Sequence, residues 1–194
     1  MIRSPALQDV PLDASASPSA ARLATVILDT GTSLDQAFTL TADHLLTLPR
    51  VEAVTAALTT FAPQDERGWL HLGQRAWVTE WLRPGTACSI LPPPGAGPEA
   101  ALTMPWVSPR AREEALVLVD IDLLPPEADQ DCRELSACGI RSMVVRAQFA
   151  DGVMYGSLAM GGAGTGPWPD GDVADFRLLN AALTSRIALE QARR

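Results

Sequence analysis

Apolar side chains recur at one-turn spacing from Leu34 through Phe38 and Ala42 to Leu45, which predicts a helix. Thr32 or Ser33 can cap its start and Pro49 ends it. The period then drops to two. Val51–Phe61 is rich in Val, Thr and Leu and places Val54, Ala56 and Leu58 on one face, as a strand does. The polar run at 62–68 turns the chain toward a hairpin partner at Trp69–Trp77. Ala115–Ile121 (ALVLVDI) is apolar at every alternation, the mark of a strand covered on both faces. Pro125 and Pro126 break it, and Glu127–Cys138 reads as a short helix with Gly139 as its left-handed cap. Two more strands, Ile140–Phe149 and Val153–Met160, flank the tight turn Ala150-Asp151-Gly152. A long helix closes the chain. Val173, Phe176, Leu179, Leu183 and Ile187 form its apolar stripe, and Asp170, Asp172 and Asp175 complement its N-terminal dipole.

Two stretches lack any such period. Residues 1–20 are rich in Ser, Ala and Pro, so 1–30 is expected to be a flexible tail ahead of one domain at 31–194. Residues 83–98 carry five prolines and three glycines, a density that predicts a long irregular loop. Hairpin-joined strands with helices at both ends make an α+β domain on an antiparallel sheet.

Composition narrows the role. The chain has 194 residues, 47% hydrophobic and 20% charged, enough for one well-filled core. Net charge is −8, lysine is absent and the arginines are scattered, so a surface that displaces phosphate counterions is missing. Nucleic-acid and anionic-membrane binding are both disfavoured. No apolar run approaches a ~20-residue membrane span, and the first residues lack a signal-peptide pattern. With an odd count of three cysteines, this argues for reduced thiols and a cytoplasmic location.

The second half of the chain resembles the GAF domain family. Gly139-Ile140-Arg141-Ser142-Met143-Val144-Val145 is similar to its "gv-R-S-hydrophobic" strand. Phe149–Met160 is similar to its hairpin, with Gly156-Ser157-Leu158 at the usual Gly-x-Leu, and Trp168–Asp172 leads into the closing helix. The likeness covers residues 115–192 well and 32–80 more weakly. Arg146 stands where the family usually has proline. The resemblance implies a GAF-like antiparallel sheet of five or six strands flanked by N- and C-terminal helices and a short helix. It further implies a small-molecule site between the sheet and Trp106–Cys138, and a homodimer through the terminal helices, Ser33–Leu48 and Asp172–Arg193.

Catalytic motifs fare poorly beside this. Cys132 and Cys138, six positions apart on a helix, point about 120° apart and do not converge. One GAF-related class reduces free methionine sulfoxide with thiolates, but its Gly-Val-Cys-Gly and His-Ile-Ala motifs are absent, so buried or incidental thiols are the favoured reading. His44 and His71 have no ligating neighbour at metal spacing. Bilin-binding relatives of the resembled family use a Cys-His pair or an upstream cysteine with a histidine; no cysteine adjoins a histidine here, so a covalent bilin is not expected. The glycine run at 161–166 sits between strand and helix, yet no lysine follows and three aspartates crowd the helix start; a flexible connector is preferred to a phosphate loop. No Gly-x-Ser-x-Gly elbow occurs. Asp120 and Asp122 share a face if the strand continues, and could hold a cation or cationic ligand, or one could pair with Arg141; the plainer reading is a strand exiting to solvent. Trp106 could line a pocket wall or simply anchor packing.

The sequence therefore predicts a sensory or regulatory domain without enzymatic activity. Its expected ligand-binding residues are Trp106, Asp120, Asp122, Cys138 and Arg141, with no metal and a ligand that the sequence leaves unidentified. The chain would act alone or as the input piece of a longer sensor. A thiol-dependent methionine sulfoxide reductase and a ligand-free dimerisation module are the alternatives.

Overall fold

The computed structural model describes residues 15–59, 75–91, 102–113, 116–150 and 153–192. Five strands, β1 (Ala53–Thr59), β2 (Arg75–Leu82), β3 (Val117–Asp120), β4 (Ser142–Ala150) and β5 (Val153–Gly162), form one sheet in the order β2-β1-β5-β4-β3. All neighbouring strands run antiparallel. The expected α+β class is present, and the described residues supply five of the expected five or six strands.

The sheet separates two apolar layers. On its inner face Val54, Ala56, Leu118, Val144, Leu158 and Met160 pack against three helices: α1 (Pro18–Leu28), α2 (Leu34–Leu46) and α5 (Asp170–Ala192). The predicted stripe of α5 supplies Val173, Phe176, Leu179, Leu183 and Ile187 to this layer, all buried. On the outer face Ala53, Val117, Val119, Met143, Val145 and Ala159 meet α3 (Val107–Arg112) and α4 (Asp129–Ala137). β3 thus sends Leu118 inward and Val117 and Val119 outward, which is why its sequence alternates apolar with apolar.

Helix α1 corrects the expectation of a tail through residue 30. Its hydroxyl cap is Ser17, Pro18 opens the helix, and the buried stripe is Ala20, Ala24 and Ile27. Alanines in a Ser/Pro-rich setting carry little apolar contrast, yet their small side chains let α1 lie close on α5. Residues 1–14 lie outside the described residues.

Helix α2 starts from Ser33, whose hydroxyl accepts the Gln36 N–H at 3.1 Å. Arg83 closes its end, donating to Leu46 O in the helix and to Leu48 O and Pro49 O just beyond it, at 3.0, 2.6 and 3.1 Å. Helix α4 ends as the sequence predicts, with Gly139 at φ +72°. The Asp151-Gly152 turn, the polar run at 62–68 and the Pro-rich stretch 92–98 lie outside the described residues. Helix α3 was not expected; it is six residues long and begins after Pro105-Trp106.

Candidate functional site

The outer face of the sheet is closed by a cover made of α3, α4, the segment leading into α3 and the irregular stretch 83–91. Two carboxylates of α4 hold the cover together. Asp131, fully buried, accepts the backbone N–H groups of Trp106 at 3.0 Å and Val107 at 2.9 Å. One turn on, Glu134 accepts the N–H groups of Thr103 and Met104 at 2.9 Å each, the Thr103 hydroxyl at 2.8 Å and the Gln130 amide at 2.9 Å. The backbone bends to present these amides, with Met104 at φ +40°. Burial works against ionisation of Glu134, but the Met104, Gln130 and Thr103 donors outweigh it and hold the carboxyl below its ordinary range. The i, i+3 spacing of Asp131 and Glu134, which puts both on one helix face, is the sequence signal for this pair.

Trp106 sits under this cover, 6% exposed, with the Arg110 guanidinium stacked 3.7 Å from its ring centroid. Val107, Ala111, Leu135, Ile140 and Met143 fill the space around it. Trp106 is therefore a packing element of the cover's interior in this conformation.

Three of the other expected site residues meet at the sheet's end, and not as a pair of parallel carboxylates. β3 stops at Asp120, and Ile121–Leu123 is a turn of 3-10 helix, so the two-residue alternation fails before Asp122. The Asp120 carboxylate accepts the Asp122 N–H at 3.0 Å and the Gly166 N–H at 2.6 Å. Asp122 faces solvent and pairs with Arg141 at 2.6 Å, both side chains about half exposed. Asp120, Asp122 and Arg141 form a polar rim around the glycine stretch. Cys138, at the C-cap of α4, is placed instead beside the 83–91 segment, its carbonyl accepting the Ser89 N–H at 3.0 Å.

The glycine stretch is tied down, contrary to the expected flexible connector. Arg50 donates to the carbonyls of Thr165 and Gly166 at 3.0 Å each, to Gly164 O and to Pro167 O, and lies 4.8 Å over the Trp168 ring. Ser142 Oγ donates to Gly164 O at 2.7 Å. A phosphate cradle turns N–H groups inward. This loop turns carbonyls inward, onto a cation.

Two of the three thiols, Cys88 and Cys138, are poorly placed for nucleophilic chemistry. Cys88 is buried and its Sγ lies 3.3 Å from Glu52 Oε2 and 3.2 Å from Gly139 O. Burial first, with the Glu52 and Glu80 carboxylates adding to it, pushes the Cys88 thiol up despite the Thr86 hydroxyl. Burial, then Glu80 and Glu134, raises Cys138 as well. A reductase needs the opposite, a thiolate stabilised by positive charge. Glu52 itself is held low, chiefly by the Thr86 hydroxyl at 2.5 Å. Cys88 and Glu52 lie 36 positions apart, so their meeting left no local signal. Among the described residues no group of three or more His, Cys, Asp or Glu is arranged to hold a metal, and no helix is long and apolar enough to cross a membrane. His44 is hydrogen-bonded within the helical layer, and His71 lies outside the described residues.

No protein-family model and no curated protein matches the chain. Solved structures do. The phycocyanobilin-bound GAF domain from a cyanobacterial phytochrome is 16% identical, with a TM-score of 0.65 over 95% of this chain and 99% of that one. The GAF domain of a two-component sensor histidine kinase from Bacillus halodurans is 15% identical, with a TM-score of 0.54 over 84% and 98%. The GAF domain from an Acinetobacter phosphoenolpyruvate-protein phosphotransferase is 16% identical, with a TM-score of 0.54 over 96% and 97%. With its strand order, three helices on one face and the Trp106–Cys138 cover on the other, the chain has the fold of a GAF domain.

Proposed function

We propose that this chain is a sensory or regulatory domain that takes a small molecule between the outer face of the sheet and the Trp106–Cys138 cover. The supporting observation is the likeness, across 95% of the chain, to a GAF domain solved with phycocyanobilin bound. The build of the cover agrees with that reading. Asp131 and Glu134 tie α4 to the 103–107 backbone, so these polar bonds run within the cover. Against Val117, Val119, Met143 and Val145 of the sheet it presents apolar side chains. Residues 83–91 are bonded to Glu52 and Glu80, whereas α3 and α4 meet the sheet through apolar contact. These two helices can therefore shift together to admit a ligand beside Trp106. The rim of Asp120, Asp122 and Arg141 supplies charges of both signs at the sheet's end.

The test is a thermal-shift screen of the purified protein against cyclic nucleotides, amino acids and tetrapyrroles, with an absorbance spectrum recorded first. A hit that also changes tryptophan emission in the native chain, and does not in Trp106→Phe, supports the site. No hit, together with an unchanged emission spectrum, sinks it.

The same reading makes the protein a homodimer through its terminal helices. The helices expected to do this are Ser33–Leu48 and Asp172–Arg193; Leu189 in the second is 43% exposed, as are Val26 and Leu28 of α1, which precedes the first. Light scattering at micromolar concentration decides this: a monomer contradicts it.

A further inference from the structure

Beyond Val145, β4 has no strand on its β3 side among the described residues. Helix α5 passes this opening, and a cleft of about 230 Å³ lies between helix and strand. Arg146 and Phe149 line it from the strand, and Asn180, Ala181, Thr184 and Ser185 from the helix. Arg146 shares a strand face with Val144, so the cleft borders the inner, helical layer. It is separate from the Trp106 cover on the other face.

The cleft carries charge of one sign. Arg146 is half-buried, yet it has no hydrogen bond or ion pair among the described residues. The inward-lying arginines elsewhere, Arg50, Arg83, Arg110 and Arg186, each bond backbone carbonyls. Arg177, four residues before Ala181 and so on the same face of α5, is half-buried and equally without a partner. No Asp or Glu lines the cleft among the described residues, in a chain whose net charge is −8. The neutral groups can follow the arginine. Asn180 Oδ1 is sealed from the cleft, so the Nδ2 amide is what this residue can present. Thr184 commits its hydroxyl hydrogen to Asn180 O at 2.8 Å, whereas the exposed Ser185 hydroxyl can rotate to donate.

A partnerless guanidinium beside groups that can donate selects negative charge on oxygen. We propose that this cleft binds a small oxyanion, a carboxylate or phosphoryl group held on the planar fork of Arg146. The Asn180 amide and the Ser185 hydroxyl donate to the same group, and Arg177 adds a second positive charge one turn away. A cationic ligand would meet Arg146 with no carboxylate to offset the repulsion. The volume limits the ligand to a few heavy atoms beyond the anionic group, being below the roughly 300–1,000 Å³ of pockets for drug-sized ligands. Arg146 is also the residue that departs from the proline usual in the GAF pattern, so the site belongs to this chain and goes beyond the sensory reading of the cover.

Isothermal titration calorimetry of the full chain with inorganic phosphate and with succinate, at fixed ionic strength, tests the proposal. At least one of the two is expected to bind saturably. Saturation by phosphate alone assigns a phosphoryl group, by succinate alone a carboxylate, and by both the oxyanion they share. Arg146→Gln should weaken binding at least about tenfold. Ala181→Glu, which brings a like charge to the cleft from an exposed position, should weaken it by a similar factor while the unfolding midpoint holds. Arg22→Gln, at an exposed position of α1, should leave binding unchanged. Absence of saturable binding by either probe up to about 10 mM overturns the proposal. So does binding that Arg146→Gln or Ala181→Glu leaves intact, or that Arg22→Gln weakens as much as they do.

Discussion

His44 Nε2 lies 2.9 Å from Asp175 Oδ2, and the same buried carboxylate receives both the hydroxyl and the backbone N–H of Ser17, at 2.8 and 2.6 Å. One side chain of α5 thereby fastens the start of α1 and the last turn of α2. A serine, histidine and aspartate are in contact here, but the serine donates to the aspartate and not to the histidine, so the geometry is that of a clamp.

Removing that carboxylate should loosen all three helices together. Asp175→Ala leaves the Ser17 and His44 donors unpaired in a site only 2% exposed, a loss of about 3 kcal/mol. Urea unfolding should show it as a lower midpoint at unchanged slope. Ser17→Ala, which removes one bond and the cap of α1, should cost about 1 kcal/mol. Equal losses for the two variants would contradict a shared clamp centred on Asp175.

At the other end of α1, Arg186 is 2% exposed and donates to Asp29 O at 2.5 Å, Thr32 O at 2.6 Å and Ile27 O at 3.3 Å, while Glu190 balances its charge at 2.7 Å. Only a planar fork can reach carbonyls on two sides and a carboxylate at once. Arg186→Lys should therefore fail as a conservative change and cost about 2–4 kcal/mol. Amide hydrogen exchange in residues 20–28 should accelerate well beyond that in the β4–β5 ladder. Protection of α1 unaltered in Arg186→Lys would show that its apolar stripe suffices.

The physical reason some elements were readable and others not is visible in these contacts. β1, β3, β4 and β5 were legible because two apolar layers impose period two on Val54, Ala56 and Leu58 and a doubled period on β3. Helix α1 was not, because Ala20 and Ala24 bury no contrast that a Ser- and Pro-rich stretch would reveal. The rim misled for a different reason. Spacing placed Asp120 and Asp122 on one face, but the 3-10 turn after Asp120 swings the second carboxylate out to Arg141. Long-range pairs such as Glu52 with Cys88, or Arg50 with the 164–167 carbonyls, depend on the finished fold and leave no local pattern.

Gly156 is a second place where sequence pattern has a steric cause. A Cβ there would lie 2.1 Å from Ala57 O and 3.1 Å from Gln148 Oε1. The first contact is backbone, so β1 and β5 would have to part. Gly156→Ala should cost about 2–4 kcal/mol. Gly171, in the first turn of α5 with nothing within 4 Å of its Cβ position, is the control: alanine there should be neutral or stabilise by up to about 1 kcal/mol. Thermal unfolding of the two variants side by side separates close backbone approach from a general dislike of substitution.

The cover should open in acid through Glu134. Its carboxyl is held below the ordinary value because the charged form collects donors from Met104, Gln130 and Thr103, which prevail over burial. A carboxyl with a lowered folded pKa stabilises the fold fully above its unfolded value, about 4.3, and that contribution disappears as pH falls through the folded value. Native protein should thus outlast Glu134→Gln at neutral pH, and the gap should narrow once the pH drops below about 4.3. Hydrogen exchange at the Thr103 and Met104 amides reports it locally: these should be protected at pH 6 in the native chain, less so in Glu134→Gln, and alike in both at about pH 3. A stability gap that stays constant from neutral pH to pH 3 would mean that the side chain's shape, not its charge, holds α4 to the 103–107 backbone.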